Sequence, residues 1–357
     1  MIRVLVVDDS VVVRRLVSES LAREPGITVV GTAADGRLAL AKVEQLDPDV
    51  VTLDIEMPRL DGIETVRALR AAGRRVPVIM FSTLTERGAA ATLDALSAGA
   101  SDYVTKPSGA GSVQAALERV AAELVPKIRA LVPAALPSGT APARQAGASV
   151  ATVATAAPRP VPGRPVRAVV VGSSTGGPEA LRTFFAGLAE PLPVPVVLVQ
   201  HMPPVFTRQL AERLDREGPT TVVEAAGGET LRPGHAYLAP GGRHLEVARR
   251  GGAVSTLLTD APPVSFTRPS VDVLFRSAVR ALGGDLLALV LTGMGSDGRD
   301  GAGEIAAAGG HVLAQDRATS VVWGMPGAVA AAGHAHRLLP LPQVARAVSS
   351  LVAGALA

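Results

Sequence analysis

"VVVGSSTGGPEAL", residues 169–181, decides how the larger half of the chain is read. A run of valines gives way to a Gly/Ser/Thr turn, and the turn to a segment with helical spacing. The pattern is strand, sharp turn, helix. Within it "GSSTG", residues 172–176, fits G-x-S-x-G with Ser174 at the centre. Small neighbours permit a turn tight enough to hold the serine Oγ out from the backbone. A phosphate-cradling loop is the competing reading, but it needs a lysine after its second glycine, and here the chain continues Gly177-Pro178-Glu179. The dinucleotide fingerprint G-x-G-x-x-G is not met either. On these residues alone, nucleophile and anion-binding loop both stand.

A serine is a poor nucleophile without a base and a carboxylate to orient that base. His201 directly follows the apolar run "PVVLVQ" and so lies at the same carboxyl edge of a sheet as Ser174. His235 and His244 read as ordinary loop or strand residues. His311 begins a strand, at the opposite edge. His334 and His336 form H-x-H with no third metal ligand nearby in sequence. For the carboxylate, "ALVLTGMGSDGRDG" (288–301) ends a strand and places Asp297 in a glycine-rich turn. Gly293, Gly295 and Gly298 let the backbone approach a ligand, and their N–H groups suit an oxyanion. Asp300 is the competitor, better suited to capping the helix that follows. The order Ser…His…Asp differs from that of common α/β hydrolases, but triads are defined by geometry rather than order.

Outward from this segment the chain divides. Residues 125–166 hold eight prolines, eleven alanines, five Lys/Arg and no acid. Such a stretch buries too little to offset its ordering entropy, so 125–165 are expected to be a flexible linker, although the preceding helix has room to run on to about Ala135. Residues 1–124 and 166–357 each alternate short β-rich runs with amphipathic helical patterns. The fold class expected is therefore α/β, two doubly wound parallel-sheet domains: flavodoxin-like in the first, Rossmann-like in the second. Strands are expected at "RVLVV", "ITVVG", "DVVTLD", "PVIMF" and "DYVT", then at "RAVVVG", "PVVLVQ", "ALVLTG" and "GHVLAQD". Helices are expected at 61–72 and at about 177–188, 205–217, 270–282 and 299–308.

Bulk properties narrow the function. The formal net charge of +3 comprises −3 in residues 1–124, +5 in 125–166 and +1 in 167–357. The basic excess sits in the linker, which speaks against nucleic-acid binding. No apolar run approaches the ~18 residues a membrane span needs, and Asp8 and Asp9 interrupt any secretory h-region, so no membrane insertion and a cytoplasmic location are expected. With no cysteine, disulfides, thiolate metal sites and a cysteine nucleophile are excluded.

In the first domain the chemistry-bearing residues gather where strands end. Asp8 and Asp9 end the first strand, Asp54 the third, Ser82 the fourth, and Lys106 follows the fifth. In open α/β sheets functional groups collect at that edge. Three carboxylates converging there suit a hard cation such as Mg²⁺. A carboxylate beside the ion can accept a phosphoryl group, with a hydroxyl and an ammonium neutralising the transferred oxygens.

"VLVVDDS", "LDIEMPRLDG", "VIMFST" and "DYVTKP" resemble the response-regulator receiver family over almost all of residues 1–124. The resemblance implies Asp54 as phospho-acceptor, Asp8 and Asp9 with Asp54 as Mg²⁺ ligands, Ser82 and Lys106 as phosphate-sensing groups, and Tyr103 at the position of an aromatic switch. "VGSSTGGPEAL", "VQHMPPVFT", "PSVDVLFRSAV", "LTGMGSDGRDG" and "QDRATSVVWGMP" together resemble the catalytic domain of the CheB family, chemotaxis protein-glutamate methylesterases, over about 166–352. That resemblance implies Ser174 as nucleophile, His201 as base and Asp297 as orienting acid, with Thr175 and Met294 lining the oxyanion pocket and no cofactor in this domain. It implies a phosphorylation-activated hydrolase that demethylates glutamyl esters and deamidates glutamines on chemoreceptors, with a chemotaxis histidine kinase as phosphoryl donor. The rival reading is a phosphorylation-gated adaptor without catalysis, distinguished by a triad member facing away from the site.

Overall fold

The computed structural model describes residues 1–106, 113–132 and 164–354. The first domain carries β1 (Ile2–Val7), α1 (Val11–Ala22), β2 (Ile27–Ala33), α2 (Gly36–Leu46), β3 (Val50–Asp54), α3 (Gly62–Ala71), β4 (Val78–Ser82), α4 (Glu86–Ser97), β5 (Asp102–Thr105) and α5 (Val113–Leu131). Its five parallel strands run in the order β2-β1-β3-β4-β5. The order reverses between β1 and β3, and that crevice receives Asp8, Asp9 and Asp54. Both faces of the sheet are covered. Val4, Val6 and Phe81 pack under α1 and α5, while Leu5, Val51 and Met80 pack on the other side. Burial on both faces explains why these strands read as continuous apolar runs rather than alternating ones.

The helix α5 continues to Leu131, past the expected start of the linker at 125 and within the extension that the sequence allowed. Val120, Leu124 and Ile128 recur every four residues and are buried against the sheet and α1, so packing carries the helix through Pro126. The remainder of the expected linker, 133–163, lies outside the described residues.

The second domain contains β6 (Ala168–Ser173), α6 (Gly177–Ala186), β7 (Val196–Gln200), α7 (Phe206–Asp215), β8 (Thr221–Glu224), β9 (His235–Leu238), β10 (His244–Arg250), β11 (Ala253–Thr259), α8 (Val271–Leu282), β12 (Leu286–Val290), α9 (Arg299–Ala307), β13 (His311–Gln315), α10 (Met325–Ala331), β14 (Arg337–Leu339) and α11 (Leu341–Val352). Seven parallel strands lie in the order β14-β13-β12-β6-β7-β9-β8, with β10 and β11 as a separate antiparallel hairpin. After β6 the chain winds one way through β7, then returns to lay β12 on the other side of β6. The switch point therefore falls between β6 and β12, with Ser174 and Asp297 beyond the two strand ends.

All nine expected strands are present. Sequence reading passed over β8, β9, β14 and the hairpin, and helices α10 and α11. Three of those strands have only three or four residues, too short for a period to show. The hairpin did carry a signal. Gly251 and Gly252, both at positive φ, turn the chain between its two strands, as a Gly-Gly hairpin requires.

The two domains pack directly on each other. On α4, Asp94 and Ser97 bind Arg213 of α7, at 2.8 and 3.0 Å. The ring of Tyr103 stacks on that of Phe206, with centroids 4.9 Å apart and planes 8° from parallel.

Candidate active site and its receiver

Ser174 is the first of three residues between β6 and α6, half-buried, on the strand–turn–helix that the sequence suggested. Four backbone and side-chain bonds hold the turn. The Ser174 N–H donates to Thr292 O (3.0 Å), and its carbonyl accepts from Gly177 N (2.7 Å) and Gln200 Nε2 (2.8 Å). Ser173 Oγ donates to Gln200 Oε1 at 2.7 Å. Gly176 takes a left-handed conformation (φ +75°) to start α6, and a Cβ on Gly177 would overlap the Gln200 amide. Only glycines allow both the turn and the close amide beneath it. Gln200 was not singled out from sequence, although its place before His201 at a strand end was visible.

His201 follows β7, and its Nε2 lies 2.8 Å from Asp297 Oδ2. Asp297 is buried at the N-terminus of α8. The carboxylate accepts from Val271 N (2.7 Å), Asp272 N (3.0 Å), Ser270 Oγ (2.9 Å) and Thr267 Oγ1 (3.2 Å). Ser270 occupies the N-cap position but sends its hydroxyl to Asp297, which itself fills the capping role. Burial alone would raise the Asp297 pKa. The His201 contact and the two helix amides outweigh it and hold the group at about 2. An ionised aspartate is thus fixed against one imidazole nitrogen. Asp300 does not cap α9, whose N-cap is Gly298 without a side-chain bond; it pairs instead with Arg299 and Arg276 on the surface.

Ser174, Thr175, His201 and Met294 line one cleft of about 930 Å³, walled on the far side by Tyr103, Glu123 and Lys127 of the first domain. At this boundary Thr175 Oγ1 donates to Asp102 Oδ2 (2.7 Å), an oxygen also bound by Lys127 Nζ (2.8 Å). The other histidines lie elsewhere. His244 is buried, accepting from Ser270 N and contacting Pro262 O; His311 and His336 lie beside each other around the start of β13.

In the first domain Asp8, Asp9 and Asp54 each offer a carboxylate oxygen, all within 4.8 Å of one another. Lys106 Nζ reaches Asp54 Oδ1 at 2.7 Å and Asp8 Oδ2 at 3.2 Å. Burial, with a contribution from the Asp8 charge, raises the Asp54 pKa to about 6 against the pull of Lys106. Asp54 Oδ2 is buried without a hydrogen-bond partner, and Asp8 Oδ2 meets Lys106 by proximity rather than by hydrogen-bond geometry. Orphaned carboxylate oxygens in a tight acidic cluster fit a hard cation with oxygen ligands. Ser82 Oγ donates to Gly88 O (3.1 Å) and accepts from Thr92 Oγ1 (2.7 Å), so the hydroxyl is engaged with α4.

A parallel α/β sheet with a serine at its switch point and a histidine held by an ionised aspartate at the same edge is the architecture of a serine hydrolase, here joined to a second α/β domain with an acidic cluster at its own sheet edge. The CheB methylesterase family model matches residues 169–348, and the response regulator receiver domain matches residues 4–118. A protein-glutamate methylesterase/protein-glutamine glutaminase of Nocardioides sp. is 61% identical over 343 residues, covering 95% of this chain and 92% of its own. The protein of that name from Trichodesmium erythraeum is 44% identical over 97% of both chains. The crystal structure of the Thermotoga maritima CheB methylesterase catalytic domain superposes with a TM-score of 0.51 at 41% identity, covering 52% of this chain and 99% of that one. This chain belongs to the CheB methylesterase family. Among the described residues no helix is long and apolar enough to cross a membrane.

Proposed function

We propose that Ser174, His201 and Asp297 form the catalytic triad of a protein-glutamate methylesterase and glutaminase acting on chemoreceptors. The His201–Asp297 contact at the Ser174 cleft carries the reading. With Nε2 held by Asp297, His201 Nδ1 takes the Ser174 proton as Oγ attacks the ester carbonyl of a glutamyl γ-methyl ester. The developing oxyanion meets backbone donors from the turns around Thr175 and Met294. His201 returns the proton to the leaving methoxide, and methanol departs. Water then attacks the acyl-enzyme, His201 taking its proton and returning one to Ser174, so that a glutamate is released. A glutamine substrate loses ammonia by the same steps.

The first domain regulates this site. Asp54 accepts a phosphoryl group from a chemotaxis histidine kinase, and Asp8, Asp9 and Asp54 would hold a Mg²⁺ ion whose charge would neutralise the phosphoryl oxygens. Lys106 offsets the charge added at Asp54, and Ser82 exchanges its Gly88 partner for the phosphoryl oxygens. In the unphosphorylated chain the receiver wall narrows access to Ser174, and residues 133–163 tether the two domains.

Methanol release from methylated receptor membranes, with and without an acyl phosphate donor, tests the reading. Replacing Ser174 by Ala lowers turnover by roughly 10⁶, as in other serine triads. A Ser174→Ala chain releasing methanol near the wild-type rate overturns it.

A further inference from the structure

One side chain at the mouth of the cleft lacks any structural use. Of the six phenylalanines, Phe81, Phe184, Phe185, Phe206 and Phe275 are buried, whereas Phe266 is fully exposed. It does not lie on a loose tip. Val264 and Thr267 exchange both backbone hydrogen bonds (3.1 and 2.9 Å), closing a two-residue turn around Ser265 and Phe266. Both turn residues have positive φ, +52° and +63°. That conformation normally selects Gly, Asn or Asp and disfavours other L-residues. An aromatic ring is thus presented to water from a backbone that disfavours it, by a turn whose closing residue, Thr267, donates to Asp297. The ring lines the same cleft as Ser174 and His201. Exposed apolar bulk held in strain beside a catalytic cleft marks a contact made only when a partner is present.

We propose that Phe266 is the docking residue for the substrate helix, packing on an apolar side chain about one turn from the esterified glutamate. This rests on the proposed methylesterase activity, and it adds what selects the helix. A glutamyl ester on a helix reaches Ser174 only if the helix lies across the cleft mouth. Residues three or four positions away then face the same side and meet the rim. Removing a buried phenylalanine contact of this kind costs about ten- to a hundredfold in affinity.

The test uses the full chain with Mg²⁺ and an acyl phosphate donor. Binding is measured in a Ser174→Ala background against a methylated helical-bundle fragment of a chemoreceptor, so that affinity is read apart from turnover. Phe266→Ala weakens that binding at least tenfold, and Phe266→Trp retains most of it. With Ser174 restored, Phe266→Ala lowers the ratio of kcat/KM for the bundle to that for 4-nitrophenyl acetate by a similar factor. General damage to the triad lowers both and leaves the ratio alone. Phe266→Gly, which relieves the positive φ, melts no lower than wild type yet binds as weakly as Phe266→Ala. An unchanged dissociation constant in Phe266→Ala overturns the inference, as does activation without donor at unchanged affinity, which assigns the ring to the receiver instead. Wild-type chain that binds the bundle through Phe266 but releases no methanol overturns the activity and leaves the docking role standing.

Discussion

Thr175, the residue after Ser174, gives its side-chain hydroxyl to Asp102 of the other domain, 2.7 Å away. Lys127 binds the same oxygen, so one buried carboxylate ties β5 and α5 to the turn that carries the serine. The tie sits at the turn that carries Ser174, not merely somewhere along the interface.

Breaking it should release the site. Hydrogen bonds to a charged group contribute about 1.5–3 kcal/mol, but the Arg213–Asp94 pair and the Tyr103–Phe206 stack remain. Asp102→Ala is therefore expected to raise methanol release without a phosphoryl donor several-fold, and to shrink the further gain on adding one. A fragment of residues 160–357, free of the receiver, should exceed both. Initial rates for the three proteins check this, and equal rates for fragment and full chain end the autoinhibition account.

This tie also marks where sequence reading stops. Asp8, Asp54, Ser174, His201 and Asp297 each end a strand or follow one closely, so apolar runs and chain order sufficed to bring them to two sheet edges. Asp102 opens β5 rather than ending it, and its partner belongs to another domain 73 positions away. No period or spacing encodes that pairing. Ser270 illustrates a different loss. Its place before an amphipathic helix reads as an ordinary N-cap, yet its hydroxyl supports Asp297 because a carboxylate from a distant loop already occupies the helix end. The short strands β8, β9 and β14 are set by pairing with neighbours, a tertiary effect local propensity does not show.

Asp297 is expected to matter through orientation as much as charge. Asp297→Asn retains one acceptor but presents an amide to His201 and to the α8 amides, favouring the wrong tautomer. By analogy with other serine triads the loss in kcat is roughly 10⁴. Ser270→Ala and Thr267→Val, which each remove one donor to the carboxylate, should cost far less, about tenfold or below. Steady-state methanol release orders the variants, and a Ser270→Ala loss as large as that of Asp297→Asn defeats the ranking.

The acidic cluster of the receiver predicts a metal requirement. With Asp54 Oδ2 buried without a partner and Asp8 and Asp9 close beside it, the phosphorylated form is expected to need a cation to offset the added negative charge. Chelation should abolish phosphate incorporation from an acyl phosphate, and Mg²⁺ should restore it. Asp54→Asn should incorporate none at any Mg²⁺ concentration while keeping the basal methanol rate. Incorporation measured by intact mass decides the matter, and undiminished labelling of Asp54→Asn moves the acceptor elsewhere.

The helix ends around Asp297 yield a prediction about pH. Asp297 caps α8, and Asp272 within α8 accepts from Gly301 N of α9 at 2.7 Å, so two carboxylates lie buried close together. Burial, followed by repulsion from Asp297, raises the Asp272 pKa to about 6 despite the Gly301 bond. A folded value above the unfolded one means the group favours folding below about pH 4, and that benefit disappears as pH rises through 6. Asp297 behaves oppositely: its stabilisation is present above about pH 4 and fades as pH falls toward 2. Asp272→Asn keeps the acceptor for Gly301 and removes the charge. It should melt near wild type at pH 4.5 and several degrees above it at pH 7.5, the gap opening through pH 6. Asp272→Ala should be destabilised at both, by about 1–3 kcal/mol, since the Gly301 amide loses its partner. A pH-independent difference between Asp272→Asn and wild type would mean that the two carboxylates do not compete for the same buried space.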